Sequence, residues 1–146
     1  MGQQYRGGQG GGRFDDRPEF PKVTDQDLDI IMKNDAVESA KKTVEIGEKV
    51  GTASAKVSSS QIRVVFSKVR LIESKWALDD NSGLQHRELI LLVSRLKYQA
   101  VRDNKLNDLV ELLARAINRV NDRQTFQRFV DFFEAILAYH KVGGKQ

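Results

Sequence analysis

The sequence predicts an all-α protein, a compact bundle of about five helices behind a flexible N-terminal tail. Three observations carry that prediction. Both prolines, Pro18 and Pro21, precede residue 22, so no proline ring interrupts a helix later in the chain. From residue 23 onward apolar residues recur three and four positions apart, the spacing of one helix face. No segment sustains the period-two alternation of a half-buried strand. At 146 residues the chain suits one domain with a sizeable core, and it divides into a tail, 1–22, and a helical bundle, 23–146.

The tail holds six of the eleven glycines within its first twelve positions and has little to pack. Its Arg6-Gly7-Gly8 and Gly12-Arg13 resemble RGG-type RNA-binding segments in miniature, but two arginines supply little affinity, and the segment reads as a leader. Thr24 is placed to N-cap a helical segment holding Leu28, Ile31 and Met32. A more polar, weakly amphipathic stretch follows over 36–50, ending at Gly47 or Gly51. The small polar residues of 52–60 then predict a loop.

Four stronger helices come next. The first is capped by one of Ser58 to Ser60 and aligns Ile62, Val65, Phe66, Val69, Ile72 and Trp76 on one stripe. Turn-forming residues from Asp79 to Gly83 end it. The second, about 85–101, has Leu89, Val93, Leu96 and Ala100 inside, and Ile90 and Leu92 widen the stripe enough to predict the most buried helix. The third, about 105–121, presents Leu106, Leu109, Val110, Leu113, Ile117 and Val120. The fourth, about 123–142, presents Phe126, Phe129, Val130, Phe133, Ile136, Leu137 and His140, and stops at Gly143-Gly144.

Composition excludes much of chemistry. With no cysteine there is no disulfide, thiolate metal site or cysteine nucleophile. The longest apolar run, Leu89 to Val93, is far short of the roughly 20 residues that span a bilayer. The N-terminus lacks an apolar secretory signal, so a soluble cytoplasmic protein is expected. Asp79-Asp80-Asn81-Ser82-Gly83 superficially resembles a calcium loop, but its glycine falls at position five where that loop needs position six. His86 and His140 sit on different helices without a partner at metal-ligand spacing, and no nucleophile, base and oxyanion group assemble. Neither a metal, a cofactor nor an enzymatic activity is expected.

Charge is unevenly spread. Residues 23–51 carry four basic and seven acidic side chains, net −3, and residues 52–146 carry sixteen basic and ten acidic, net +6. A basic excess of this kind points toward a polyanionic partner. Arg63 and Arg70, with Lys68 beside them, lie off the apolar stripe of their helix and about 10 Å apart along its axis. Arg95, Tyr98 and Arg102 follow i, i+3, i+7, with Lys97 adjacent, and Arg115, Arg119 and Arg123 follow i, i+4, i+8. Guanidinium forks suit phosphate oxygens, and a tyrosine among them stacks or hydrogen-bonds. Spacing alone leaves two readings open, a phosphate-binding face or ordinary solvated helix surface.

Three segments bear on that choice: Ser60-Gln61-Ile62-Arg63, Leu96-Lys97-Tyr98-Gln99-Ala100-Val101-Arg102, and Phe132 through Lys141. In order and approximate spacing they resemble the small helical subunit of type III-A CRISPR–Cas effector (Csm) complexes, over about residues 60–145 and only loosely over 23–51. Two positions depart from the family box: Lys97 stands where a different basic-then-small arrangement is usual, and Val101 replaces the glycine before Arg102. The resemblance implies a non-catalytic subunit, several copies of which stack along guide RNA paired with target RNA beside backbone and large subunits that hold the nuclease activities. It implies Arg63, Lys97, Tyr98 and Arg102 as contacts to the target-strand backbone. Surface chemistry adds Lys68, Arg70, Arg95, Arg119, Arg123, His140 and Lys141. The alternative is a helical adaptor that binds proteins alone, its arginines pairing with acidic neighbours.

Overall fold

The computed structural model describes residues 19–78 and 82–144, with side chains at all of these but 82 and 141–144. Among them are six α-helices and one 3-10 turn: α1 (Asp25–Lys33), α2 (Ala36–Ala53), α3 (Ser59–Leu78), α4 (Ser82–Arg102), the 3-10 turn (Asn104–Leu106), α5 (Asn107–Ile117) and α6 (Arg123–Gly144). The all-α expectation holds. Residues 1–18 of the expected tail, and the turn residues 79–81, lie outside the described residues. Phe20 packs against the core, so packing begins ahead of residue 23.

The helical region expected over 24–51 is two helices, and local chemistry explains the break. Thr24 Oγ1 accepts the Asp27 N–H at 3.0 Å while the Asp27 carboxylate accepts the Thr24 N–H at 3.1 Å, a reciprocal capping box. Two residues past Lys33, Asp35 Oδ1 accepts the N–H groups of Val37 and Glu38, each at 3.1 Å, and opens a new helix. Gly47 and Gly51 do not end α2. With Ser39 and Thr43 they form a buried row of small residues at i, i+4 spacing. A Cβ on Gly51 would lie 2.5 Å from the Ile136 carbonyl oxygen, and one on Gly47 would lie 2.6 Å from Ala135 Cβ. The row lets the backbones of α2 and α6 approach closely, and this is the most extensive helix contact in the fold.

Ser58 caps α3 through a 3.1 Å bond from the Gln61 N–H. Asp103 caps the 3-10 turn by accepting the Lys105 N–H at 3.1 Å. α5 stops at Ile117, four residues earlier than expected, because Arg119 and Val120 donate to the carbonyls three residues back and tighten the chain. Asp122 and Thr125 cap α6 reciprocally, with the Thr125 N–H 2.8 Å from Asp122 Oδ1 and the Asp122 N–H 3.1 Å from Thr125 Oγ1.

The core centres on α6. Phe126, Phe129, Val130, Phe132, Phe133 and Ile136 are buried, and an aromatic chain runs from Trp76 through Phe126, Phe129 and Phe133 to Phe66 at centroid spacings of 4.9, 6.4, 6.1 and 5.0 Å. Such ring pairs add about 1 kcal/mol each beyond burial. α4 was expected to be the most buried helix and is not. It packs chiefly on α3 and α5, which covers Leu89, Leu92, Leu96 and Ala100 and leaves Ile90 at 53% and Val101 at 84% exposed.

Candidate nucleic-acid interface

The bundle's charge divides differently from the chain's. The acidic N-terminal segment folds back on the fifth helix. Arg115 donates to Asp25 at 2.9 Å, and Arg119 reaches Asp25 at 3.1 Å and Asp29 at 2.9 Å while also donating to the Arg115 carbonyl. The Arg115 hydrogen bond, assisted by Arg119, holds the Asp25 carboxyl below the ordinary range. On the adjoining face Lys42 bridges Asp27 at 3.6 Å and Glu45 at 3.3 Å. Hydrogen bonding to Glu45 raises the Lys42 ammonium and lowers the Glu45 carboxyl. Partial burial of Asp27 works to raise its carboxyl but is outweighed by the Thr24 N–H and hydroxyl and by Lys42, so it too sits low.

Arg119 is therefore a clamp between α5 and α1. Its side chain is only 19% exposed, and its guanidinium, expected on an RNA-facing surface, is engaged by the Asp25 and Asp29 carboxylates. His140, also expected at the surface, is buried. It is 1% exposed, with Nε2 2.8 Å from the Val57 carbonyl, and it pins the α2–α3 connection to α6 instead of meeting solvent. The side chain of Lys141 lies outside the described residues.

The remaining expected residues stand on the surface. Arg63 and Lys68 on α3, and Arg95, Lys97 and Arg102 on α4, are exposed and form no ion pair among the described residues. Arg102 Cζ lies 5.8 Å from the centre of the Tyr98 ring, itself 63% exposed. This cation–π contact between residues four apart orders the guanidinium while leaving its N–H donors outward. Arg70 differs: it pairs with Glu73 at 2.9 Å and sits 5.8 Å over the Phe66 ring. It shares a shallow cleft of about 300 Å³ with Arg123, which is exposed at the start of α6.

Gln61 Nε2 donates to Asp103 Oδ2 at 3.1 Å, joining the start of α3 to the end of α4. That bond brings Arg63 and Arg102, 39 positions apart in sequence, to the same end of the bundle. Neither Gln61 nor Asp103 was expected to position the site, since an amide–carboxylate pair 42 residues apart leaves no signal in spacing. Lys56 and Lys105, also exposed and free of ion pairs among the described residues, flank the same connections and were missed. Lys56 falls in the loop expected over 52–60 and Lys105 opens the helix expected over 105–121, so neither belongs to a repeating basic row. Among the described residues no three His, Asp or Glu side chains cluster as metal ligands, and no helix is long and apolar enough to cross a membrane.

Arg63, Lys68, Arg95, Lys97 and Arg102 thus stand without ion pairs among the described residues, on two helices whose ends are joined by the Gln61–Asp103 bond. No solved structure matches the chain. A Streptococcus thermophilus relative, "CRISPR system Cms protein Csm2", is 43% identical over 65 residues, covering 40% of this chain and 54% of the relative. The chain therefore spans about half the length of that relative. The family model for Csm2 of type III-A matches residues 37–146, from the first turn of α2 through all of α6. A match over that span, with the segments at Arg63 and Arg102 inside it, covers most of the chain: it belongs to the type III-A Csm2 family.

Proposed function

We propose that the chain is a non-catalytic small subunit of a type III-A CRISPR RNA-guided interference complex in the cytoplasm, acting in antiviral defence. Several copies stack along the guide RNA–target RNA duplex beside backbone and large subunits. The exposed faces of α3 and α4 hold the target strand by its phosphates. The observation that carries this reading is that Arg63, Lys68, Arg95, Lys97 and Arg102 stay free of ion pairs among the described residues while Asp25 and Asp29 of the acidic segment are paired with Arg115 and Arg119. Unpaired cations on rigid helices gain from releasing the counterions of a nucleic acid, and they do so without reading bases. Sequence is left to base pairing, a division of labour also seen in Cas9-type effectors on DNA.

The test is single-stranded RNA retention by the purified chain across salt concentrations. Affinity should fall with a log–log slope of about −0.7 per phosphate contacted. Arg63→Glu with Arg102→Glu should weaken retention with helicity unchanged, and retention equal to the parent's would remove this face from the proposal. The purified chain should not cleave RNA.

One observation favours a second reading, a protein-only adaptor. Leu91, Tyr98 and Val101 are exposed among the basic residues of α4, and apolar groups on an outer face suit a protein neighbour. RNA binding absent even at low salt, with self-association intact, selects this reading.

A further inference from the structure

The cations that the α3–α4 face does not use converge elsewhere. A cleft of about 560 Å³ opens between the irregular segment ahead of α1, the α2–α3 turn and the 3-10 turn leading into α5. Lys22, Lys56 and Lys105 each come from a different one of these three walls. None forms an ion pair among the described residues, although Glu19 and Asp108 line the same cleft. Three ammonium groups left unpaired beside two available carboxylates leave both kinds of group open to a ligand.

The walls are fixed. Lys56 precedes Val57, which is buried and whose carbonyl is held by His140. Its turn is closed further by the Val57 N–H on the Ser54 carbonyl at 3.0 Å and by the Ser54 hydroxyl on the Val50 carbonyl at 2.8 Å. The Lys105 N–H is bound by Asp103, which Gln61 in turn holds. Lys22 adjoins Val23, 5% exposed. Each lysine is thus a flexible stem on an anchored backbone, which lowers the ordering cost of gathering charge around one group.

Apart from Ser54, the remaining lining is apolar. Phe20 and Pro21, both half-buried, and Leu109 are among the residues that line it. The volume falls in the range of small-molecule sites, about 300–1,000 Å³. Ammonium groups meet phosphate, an aromatic ring and a proline meet a base, and two carboxylates accept from exocyclic amino or ribose hydroxyl groups.

We infer that this cleft binds one nucleotide, phosphate toward Lys22, Lys56 and Lys105 and base against Phe20 and Pro21, either free or as an unpaired unit of an RNA strand. This deepens the RNA-binding reading and rests on it.

The test titrates the full-length ¹⁵N-labelled protein with adenosine and cytidine monophosphates, and separately with an eight-nucleotide single-stranded RNA, following backbone amides. Amides of 54–58 and 103–109 should shift with ligand, and Lys56→Glu with Lys105→Glu should weaken binding at those amides at least tenfold. Both side chains are exposed, and an unchanged circular dichroism spectrum checks the fold. A loss seen with the monophosphates assigns a free-nucleotide site. A loss seen with the oligonucleotide alone assigns a strand-bound nucleotide. Unchanged binding of both probes overturns the inference, as does equal competition by an oligoglutamate peptide. Arg63→Glu with Arg102→Glu separates the two surfaces. If that pair lowers RNA retention while the lysine pair moves nothing, the cleft fails and the α3–α4 reading stands. The converse result removes the α3–α4 face and keeps the cleft.

Discussion

Replacing Gly51 by alanine should destabilise the protein, although the same change at an open helix position would stabilise it. The glycine lies inside α2, where alanine favours the helical backbone by about 1 kcal/mol. Against that gain, the added Cβ would sit 2.5 Å from the Ile136 oxygen, 2.8 Å from the His140 nitrogen and 2.9 Å from Tyr139 Cβ. Two of these are backbone atoms of α6, so no rotamer change relieves the clash. Carbon and carbonyl oxygen come no nearer than roughly 3.3 Å without repulsion, so the two helices must part by a sizeable fraction of an ångström. A gap of about 0.5–1 Å forfeits a quarter to a half of each dispersion contact along the seam, and overpacking costs about 1–3 kcal/mol. With a cost at the top of that range, the net loss is about 2 kcal/mol. For a domain of this size it should lower Tm by roughly 8 °C. Urea and thermal unfolding followed by circular dichroism measure it. Gly47→Ala meets mainly the Ala135 Cβ, so adding Ala135→Gly should restore part of its loss, a coupling of about 1 kcal/mol in a double-mutant cycle. Gly51→Ala with a Tm at or above the parent's would refute the close-approach argument.

Arg119→Ala should cost about 1 kcal/mol by removing the contacts to Asp25 and Asp29, while leaving RNA retention as in the parent. A large loss of retention without loss of stability would return Arg119 to the binding face. Acid should weaken the fold through Asp25, Asp27 and Asp122, all lowered: Asp25 chiefly by its hydrogen bond from Arg115, Asp27 by the Thr24 and Lys42 contacts that overcome its burial, and Asp122 by the Thr125 N–H. A carboxyl that is lower when folded contributes its stability in full above the unfolded value of about 3.9 and loses it as pH falls through the folded value. Urea midpoints should therefore drop from about pH 5 toward pH 3, and Asp122→Asn should reduce that drop.

Legibility followed the reach of each signal. The stripes Ile62 to Trp76 and Phe126 to His140 were visible because a helix face repeats within a few residues, and all their members are buried or half-buried. The row Ser39, Thr43, Gly47, Gly51 was equally present in the sequence. It reads as weak amphipathicity because its residues are small, and hydrophobic spacing does not register a face built for close approach. The two glycines then passed for helix ends, since glycine serves both purposes. Ile90 misled in the opposite direction. Its hydrophobicity predicted burial, but α4 has neighbours chiefly on two sides, and Ile90 falls outside both. Arg63, Lys97, Tyr98 and Arg102, expected at the surface, are exposed, whereas His140 is buried with Nε2 against the Val57 carbonyl.

What the sequence alone determined is the helical architecture and most of its inward faces, because capping and a 3.6-residue period act between neighbours in the chain. What only the tertiary structure decided is which charges are spent. The net −3 of residues 23–51 and the net +6 beyond suggested two opposed surfaces. Folding instead sets Asp25 and Asp29 against Arg115 and Arg119 across 90 positions of sequence. It leaves Arg63, Lys68, Arg95, Lys97 and Arg102, with Lys56 and Lys105 in the turns, without ion pairs among the described residues. Coulomb attraction depends on distance in space, and helical spacing carries no record of it beyond the next turn.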